Sequence, residues 1–207
     1  MFRVRRDDPQ LGDLIAELGG HVVAGAQLLS EVLDTEPLSR AEAGARLREV
    51  DHAAEAAALA VLRVLSATFV TPFDRADVYH VAWSMRACLS RMDAAADEIT
   101  LFRLNPLPSG ISELVLLVVR AADVTVQALP RLSRATDLAD SWIELTRIGK
   151  QAGQSHRRLL VEITAPPVSA DPATMVRLVA AAESLRRVVE AFEDLAGALQ
   201  TVAVKEG

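Results

Sequence analysis

Asp51 and Glu55 are the residues whose type and spacing first point to chemistry. In Asp51-His52-Ala53-Ala54-Glu55 they stand four apart, so a helix would project both carboxylates from one face. Such a pair can help hold a hard cation when further oxygens converge on it, or it can bind a guanidinium. Arg86 supplies the second option. A turn at Thr71-Pro72 brings Asp51, Glu55 and Arg86 to about the same level of a helical hairpin. Asp51 also falls on an apolar seam with Leu47, Ala54, Ala58, Val61, Leu65 and Thr68. An unpaired carboxylate on such a seam is costly to desolvate, so a partner is expected. Later in the chain, Arg186 can reach Glu190 one turn on, or Glu193.

The other candidates have plainer readings. Asp93 and Asp97 share the four-residue spacing but read as solvated surface, two turns past Arg86. His52 reads as polar surface beside acids. A di-iron carboxylate site needs Glu-x-x-His on two helices; His52-Ala53-Ala54-Glu55 reverses the order and has no mate. Cys88 reads as a small core residue, and His80 is a poor base for it. Ser90 and Ser184 lie in no nucleophile setting. Gly19-Gly20 follows no strand and is no phosphate loop. Arg157-Arg158 and Arg186-Arg187 read as solvated or paired charges rather than an anion site.

Six helices must position these residues. The first is expected from about Pro9 to Leu33, with Leu11, Leu14, Ile15, Leu18, Val22, Ala26 and Leu29 inward. Gly19-Gly20 and Gly25 weaken it and permit a bend or a close crossing. Ser39-Arg40-Ala41-Glu42 reads as a capping box opening the second helix. At Thr71-Pro72-Phe73-Asp74, Thr71 fits an N-cap, Pro72 the first helical position and Asp74 the third. The third helix then runs to about Phe102, with Val78, Ala82, Met85, Leu89, Met92, Ala96 and Ile99 inward. Asn105-Pro106-Leu107-Pro108-Ser109-Gly110 breaks the chain near its middle. A fourth helix is expected from about Ile111 to Leu132, a fifth from about Thr136 to Ile163, and a sixth from Asp171-Pro172 to about Val204. Pro72 to Arg86 and Pro172 to Arg186 are the same 14 residues. The chain therefore reads as one domain of two three-helix units, 1–105 and 106–207, related by an internal repeat.

Composition agrees. The 207 residues are rich in Ala, Leu, Val, Arg and Glu and only 4% aromatic, which favours an all-α protein. A net charge of −6 with no basic stripe argues against nucleic acid. The lone Cys88 excludes a disulfide framework and a cysteine zinc site and suits a reducing cytoplasm. No apolar run is long enough to span a bilayer, and no signal peptide follows Met1-Phe2-Arg3-Val4-Arg5-Arg6.

Thr71-Pro72-Phe73-Asp74-Arg75-Ala76-Asp77-Val78-Tyr79 resembles the junction of the PhoU-like phosphate-transport accessory proteins, in the branch paired with Pit-type transporters. Trp142-Ile143-Glu144, His156-Arg157-Arg158-Leu159-Leu160 and Val202-Ala203-Val204-Lys205-Glu206 extend the resemblance over nearly the whole chain. The composition suits a high-GC bacterium. The resemblance implies an all-α fold of two three-helix bundles, a cytoplasmic role in phosphate uptake, and metal sites of Glu/Asp-x-x-x-Asp type on two helices of each bundle. In this sequence those positions hold Asp51 and Glu55, Arg86 and Ser90, Gly149 and Gly153, and Arg186 and Glu190. One motif of four keeps both acids. Arg86 is therefore expected to take the place of a cation and neutralise Asp51 and Glu55 through charge-assisted hydrogen bonds.

The function expected is that of a non-enzymatic accessory or regulatory protein, with no cofactor and no chemistry on a substrate. It would act by helix-surface binding to a Pit-type phosphate transporter at the inner membrane face, with room for a homodimer. The alternatives are a carboxylate bundle binding Fe, Zn or Mg at Asp51 and Glu55, and a structural dimerisation module.

Overall fold

The computed structural model describes residues 9–36, 38–67, 74–132 and 138–206. Thr68, Thr71, Pro72, Phe73 and Thr136 lie outside the described residues. Among those described, the chain forms six α-helices: α1 (Pro9–Asp34), α2 (Arg40–Ala67), α3 (Arg75–Leu101), α4 (Ser109–Ala128), α5 (Ala139–Thr164) and α6 (Pro172–Glu206).

α1, α2 and α3 pack on one another, as do α4, α5 and α6. The two halves join through α3 against α6 and α1 against α4, while α2 and α5 pack chiefly within their own half. A single apolar core runs through both halves. Its seams follow the period of 3.6. Leu47, Ala54, Ala58, Val61 and Leu65 are buried on α2, and Leu178, Ala182, Leu185, Val189, Phe192, Ala196 and Leu199 on α6. Each fully buried Leu or Met stabilises by about 1.5–3 kcal/mol.

Two glycines of α1 set close approaches. A methyl at Gly19 would collide with the Leu129 side chain, and one at Gly25 with Leu89, so both mark crossings. Gly20 faces open space.

The helix ends are decided by individual side chains. α3 begins at Arg75 with Asp74 as its N-cap, and Asp74 Oδ1 accepts from Ala76 N at 2.9 Å. This corrects the expected start, which gave Asp74 the third helical position: the short carboxylate reaches the exposed N–H groups first, so the helix starts there. α6 is capped in the same way, Asp171 Oδ1 accepting from Ala173 N at 3.1 Å. α4 ends earlier than expected, at Ala128, passing into a 3₁₀ turn over Leu129–Arg131 that carries Pro130. At the far end of α6, Lys205 Nζ donates to Asp77 Oδ1 at 2.8 Å and Asp74 Oδ2 at 3.3 Å, so α3 and α6 run antiparallel. Arg40 is buried and ties the start of α2 to the α3–α4 linker, its guanidinium donating to Leu104 O at 2.5 Å and Thr35 O at 3.2 Å.

Candidate functional site

The first-half candidates meet in the groove between α2 and α3. Asp51 is 8% exposed, held inward by the seam of α2. Glu55, one turn on, is half exposed, and its Oε2 lies 3.8 Å from an Arg86 terminal nitrogen. That is ion-pair range, beyond hydrogen-bond length. The expected charge-assisted hydrogen bonds to both acids are not made. Asp51 Oδ1 and Arg86 Nε are both buried without a hydrogen-bond partner. The geometric reason lies on α3: Arg86 leans over Trp83, 6.0 Å from the ring centre, and Trp83 stacks on Tyr79 at 5.8 Å. Burial pushes the Asp51 carboxyl above its ordinary range, with nearby Arg86 opposing.

Asp93 corrects the surface reading. Its side chain is mostly buried, its Oδ1 has no partner, and Arg48 Nε approaches Oδ2 only to 3.9 Å. Burial first, then the neighbouring Asp97, raises its carboxyl, and Asp51 adds to the repulsion. Asp97 remains outside, paired with Arg48. α2 and α3 thus close over two acids whose Oδ1 atoms have no partner, Asp51 with Arg86 nearby and Asp93 with Arg48 at 3.9 Å. Spacing could have found Asp93, since it lies one residue past Met92 on the inward seam, but the charge pair Asp93/Asp97 reads as surface.

The second-half candidates meet between α5 and α6 around a cavity of about 180 Å³, lined among others by Gly149, Gly153, His156, Arg186, Glu190 and Glu193. Here the ion pairs close. Arg186 donates through Nε to Glu183 Oε2 at 2.9 Å and through a terminal nitrogen to Glu190 Oε1. Glu183 Oε1 in turn lies 3.2 Å from His156 Nε2, an ion-pair distance without hydrogen-bond alignment. The hydrogen bond from Arg186 pulls the Glu183 carboxyl below its usual range. Burial lowers the His156 imidazole, which is 6% exposed, while Glu183 opposes. Glu193 turns toward α5, into space that a methyl at Gly149 would fill. Burial, with Glu190 and Asp194 nearby, raises its carboxyl. Sequence reasoning missed His156 and Glu183 as members of this cluster. Their i,i+27 separation across two helices leaves no local signal.

Cys88 is fully buried, and burial pushes its thiol up, as a packing residue requires.

A provisionally named pit accessory protein of Rhizobium meliloti (strain 1021) is 25% identical over 197 residues, covering 93% of this chain and 92% of its own. A solved PhoU-like protein of Shewanella oneidensis MR-1 superposes with a TM-score of 0.83 at 12% identity, over 94% of this chain and 99% of that one. The chain has the PhoU-like fold. A second Shewanella oneidensis MR-1 structure, described as a PhoU-like phosphate regulatory protein, gives a TM-score of 0.73 at 14% identity over the same shares. No family model matches the sequence.

Against that PhoU-like frame, the donor set can be tested for the metal the resemblance implies. Among the described residues, no three His, Cys, Asp or Glu side chains are arranged to hold a metal ion. Arg86 and Arg186 bring positive charge to both grooves, and Gly149 and Gly153 bring no ligand. The residues present do not fit a carboxylate metal cluster of the implied kind.

Proposed function

We propose that this chain is a non-enzymatic accessory protein of phosphate transport, acting at the cytoplasmic face of a Pit-type transporter through its helix surfaces. The observation that carries this reading is the near-full-length similarity, in both directions, to the Rhizobium meliloti pit accessory protein. The PhoU-like fold supports it. Among the described residues, no helix is long and apolar enough to cross a membrane, so any effect on transport has to be exerted through a partner that does.

In this reading Arg86 and Arg186 stand where a PhoU-like frame would place metal ligands, and the protein works without resident metal. Arg86 offsets part of the charge of Asp51 and Glu55, and Arg186 joins Glu183 to Glu190. Conformational coupling then runs through helix packing rather than through occupancy of a metal.

Two measurements test this. Deleting the gene is expected to change phosphate uptake as phosphate supply is varied, and the tagged protein is expected to co-purify with a Pit-type permease from membranes. Unchanged uptake at every phosphate level would remove the regulatory reading. Elemental analysis of the purified protein is expected to give less than stoichiometric iron, zinc and magnesium. Stoichiometric metal lost in Asp51→Ala would instead favour a metal-binding carboxylate bundle.

A further inference from the structure

A further open groove lies outside the pairing networks of the two acid clefts. It runs between α3 and α6, encloses about 500 Å³, and is lined among others by His80, Trp83, Ser84, Glu193, Asp194 and Thr201. Four observations give it a chemical preference. Its wall is aromatic: Trp83 is 45% exposed. That ring already lies near a guanidinium, that of Arg86 at 6.0 Å. Its acidic side carries Glu193 and Asp194, neither of which is ion-paired among the described residues. Ser84, 5% exposed, lines it with a hydroxyl that has no hydrogen-bond partner among the described residues.

An aromatic face beside unpaired carboxylates binds a cation on an apolar stem, which describes arginine and lysine. We propose that the α3–α6 groove is the docking site for a basic segment of the membrane partner. An arginine or lysine from one of its cytoplasmic loops packs its stem on Trp83 and sets its charge against Asp194, with Ser84 accepting a hydrogen bond. Cytoplasmic loops of membrane proteins carry an excess of these residues, and this chain carries a net charge of −6, so the charges of the two surfaces match. The inference rests on the transporter reading above. It goes beyond that reading in naming the surface and the chemistry of its occupant.

The test titrates the full chain with the peptide acetyl-Gly-Arg-Gly-Arg-Gly-amide, following Trp83 emission in a Trp142→Phe background and heat by calorimetry. Saturable binding is expected, weakening as salt rises to about 0.5 M because the attraction is screened. Binding is expected to fall about tenfold in Asp194→Asn and further in Glu193→Gln/Asp194→Asn. Asp194 is exposed and both substitutions keep the size of the side chain, so these variants fold. Trp83→Leu, read by calorimetry, is expected to bind more weakly as well. Equal binding of the same peptide with citrulline for arginine would overturn the proposal. Undiminished binding in the double variant would do so too, as would a signal that follows protein concentration because a second copy fills the groove. Co-purification with the permease separates the two claims. If the double variant still co-purifies, the groove is wrong and the accessory role stands. If the wild type binds the peptide but never co-purifies, the groove stands and the transporter reading falls.

Discussion

The α2–α3 groove and the α5–α6 cleft occupy corresponding places in the two halves, and each combines acids with one arginine. They solve the charge problem differently. In the first, Asp51 Oδ1, Asp93 Oδ1 and Arg86 Nε stay buried and unpartnered. In the second, Glu183, Arg186 and Glu190 bond in a chain that His156 joins at ion-pair distance. The contrast has a steric source. Gly149 opens space on α5, into which Glu193 turns, while Glu183 and Glu190 bond Arg186 from one turn away on their own helix. In the first groove, Arg86 instead leans over Trp83, 6.0 Å from the ring centre. Two clefts that each combine acids with one arginine therefore need not carry the same electrostatics.

The largest effect is expected from removing the arginine of the unsatisfied groove. Arg86→Ala leaves Asp51 buried with no cation facing it and should destabilise by about 2–3 kcal/mol in urea unfolding at pH 7. Arg186→Ala acts on an exposed network, Arg186 being 40% exposed, and should cost only about 0.5–1 kcal/mol. Equal losses would erase the distinction between the two sites.

The pH dependence separates them further. Asp51 and Asp93 have folded pKa values raised above the unfolded ones, so their contribution is fully present below about 3.9 and is lost as pH rises through the folded values. Asp93→Asn should therefore gain stability relative to wild type as pH climbs from about 4 toward 7. His156 runs the other way. Its folded pKa lies below 6.5, so the unfolded chain takes up the proton first and stability falls as pH drops below that value. His156→Gln should flatten that fall, as read by thermal unfolding between about pH 7 and 5. A pH profile unchanged by either substitution would break the comparison.

The smallest effect is expected at Gly149→Ala. The new methyl displaces the Glu193 carboxylate, the flexible end of its side chain, while alanine favours the helix by about 1 kcal/mol. Stability should change by less than about 1 kcal/mol, with the change in Glu193 titration visible by NMR. A loss of several kcal/mol would mean that the cleft is closed rather than adaptable.

Most of the fold could be read along the chain because seams of Leu, Ala, Val and Met at period 3.6 are local signals. The inward residues named on α2, α3 and α6 are buried or half-buried wherever they are described. Helix ends were less legible. At the start of α3 several capping residues compete within four positions, and Asp74 takes the role. The candidate sites were legible by type but not by state. Asp51, Glu55 and Arg86 do come together, yet whether they bond depends on where Trp83 holds the guanidinium. Asp93 read as surface because an i,i+4 acid pair fits a solvated face as well as a groove.

The sequence by itself determined an all-helical chain with PhoU-like features, the repeat of its arginines, and the acids that would lie at helix contacts. These follow from side-chain period and spacing along one helix at a time. Only the tertiary structure decided which charges are satisfied, that His156 and Glu183 belong to one cluster, and that α3 and α6 leave an acidic, aromatic groove between them. Those depend on distances between helices far apart in the chain, where an ångström separates an ion pair from a hydrogen bond.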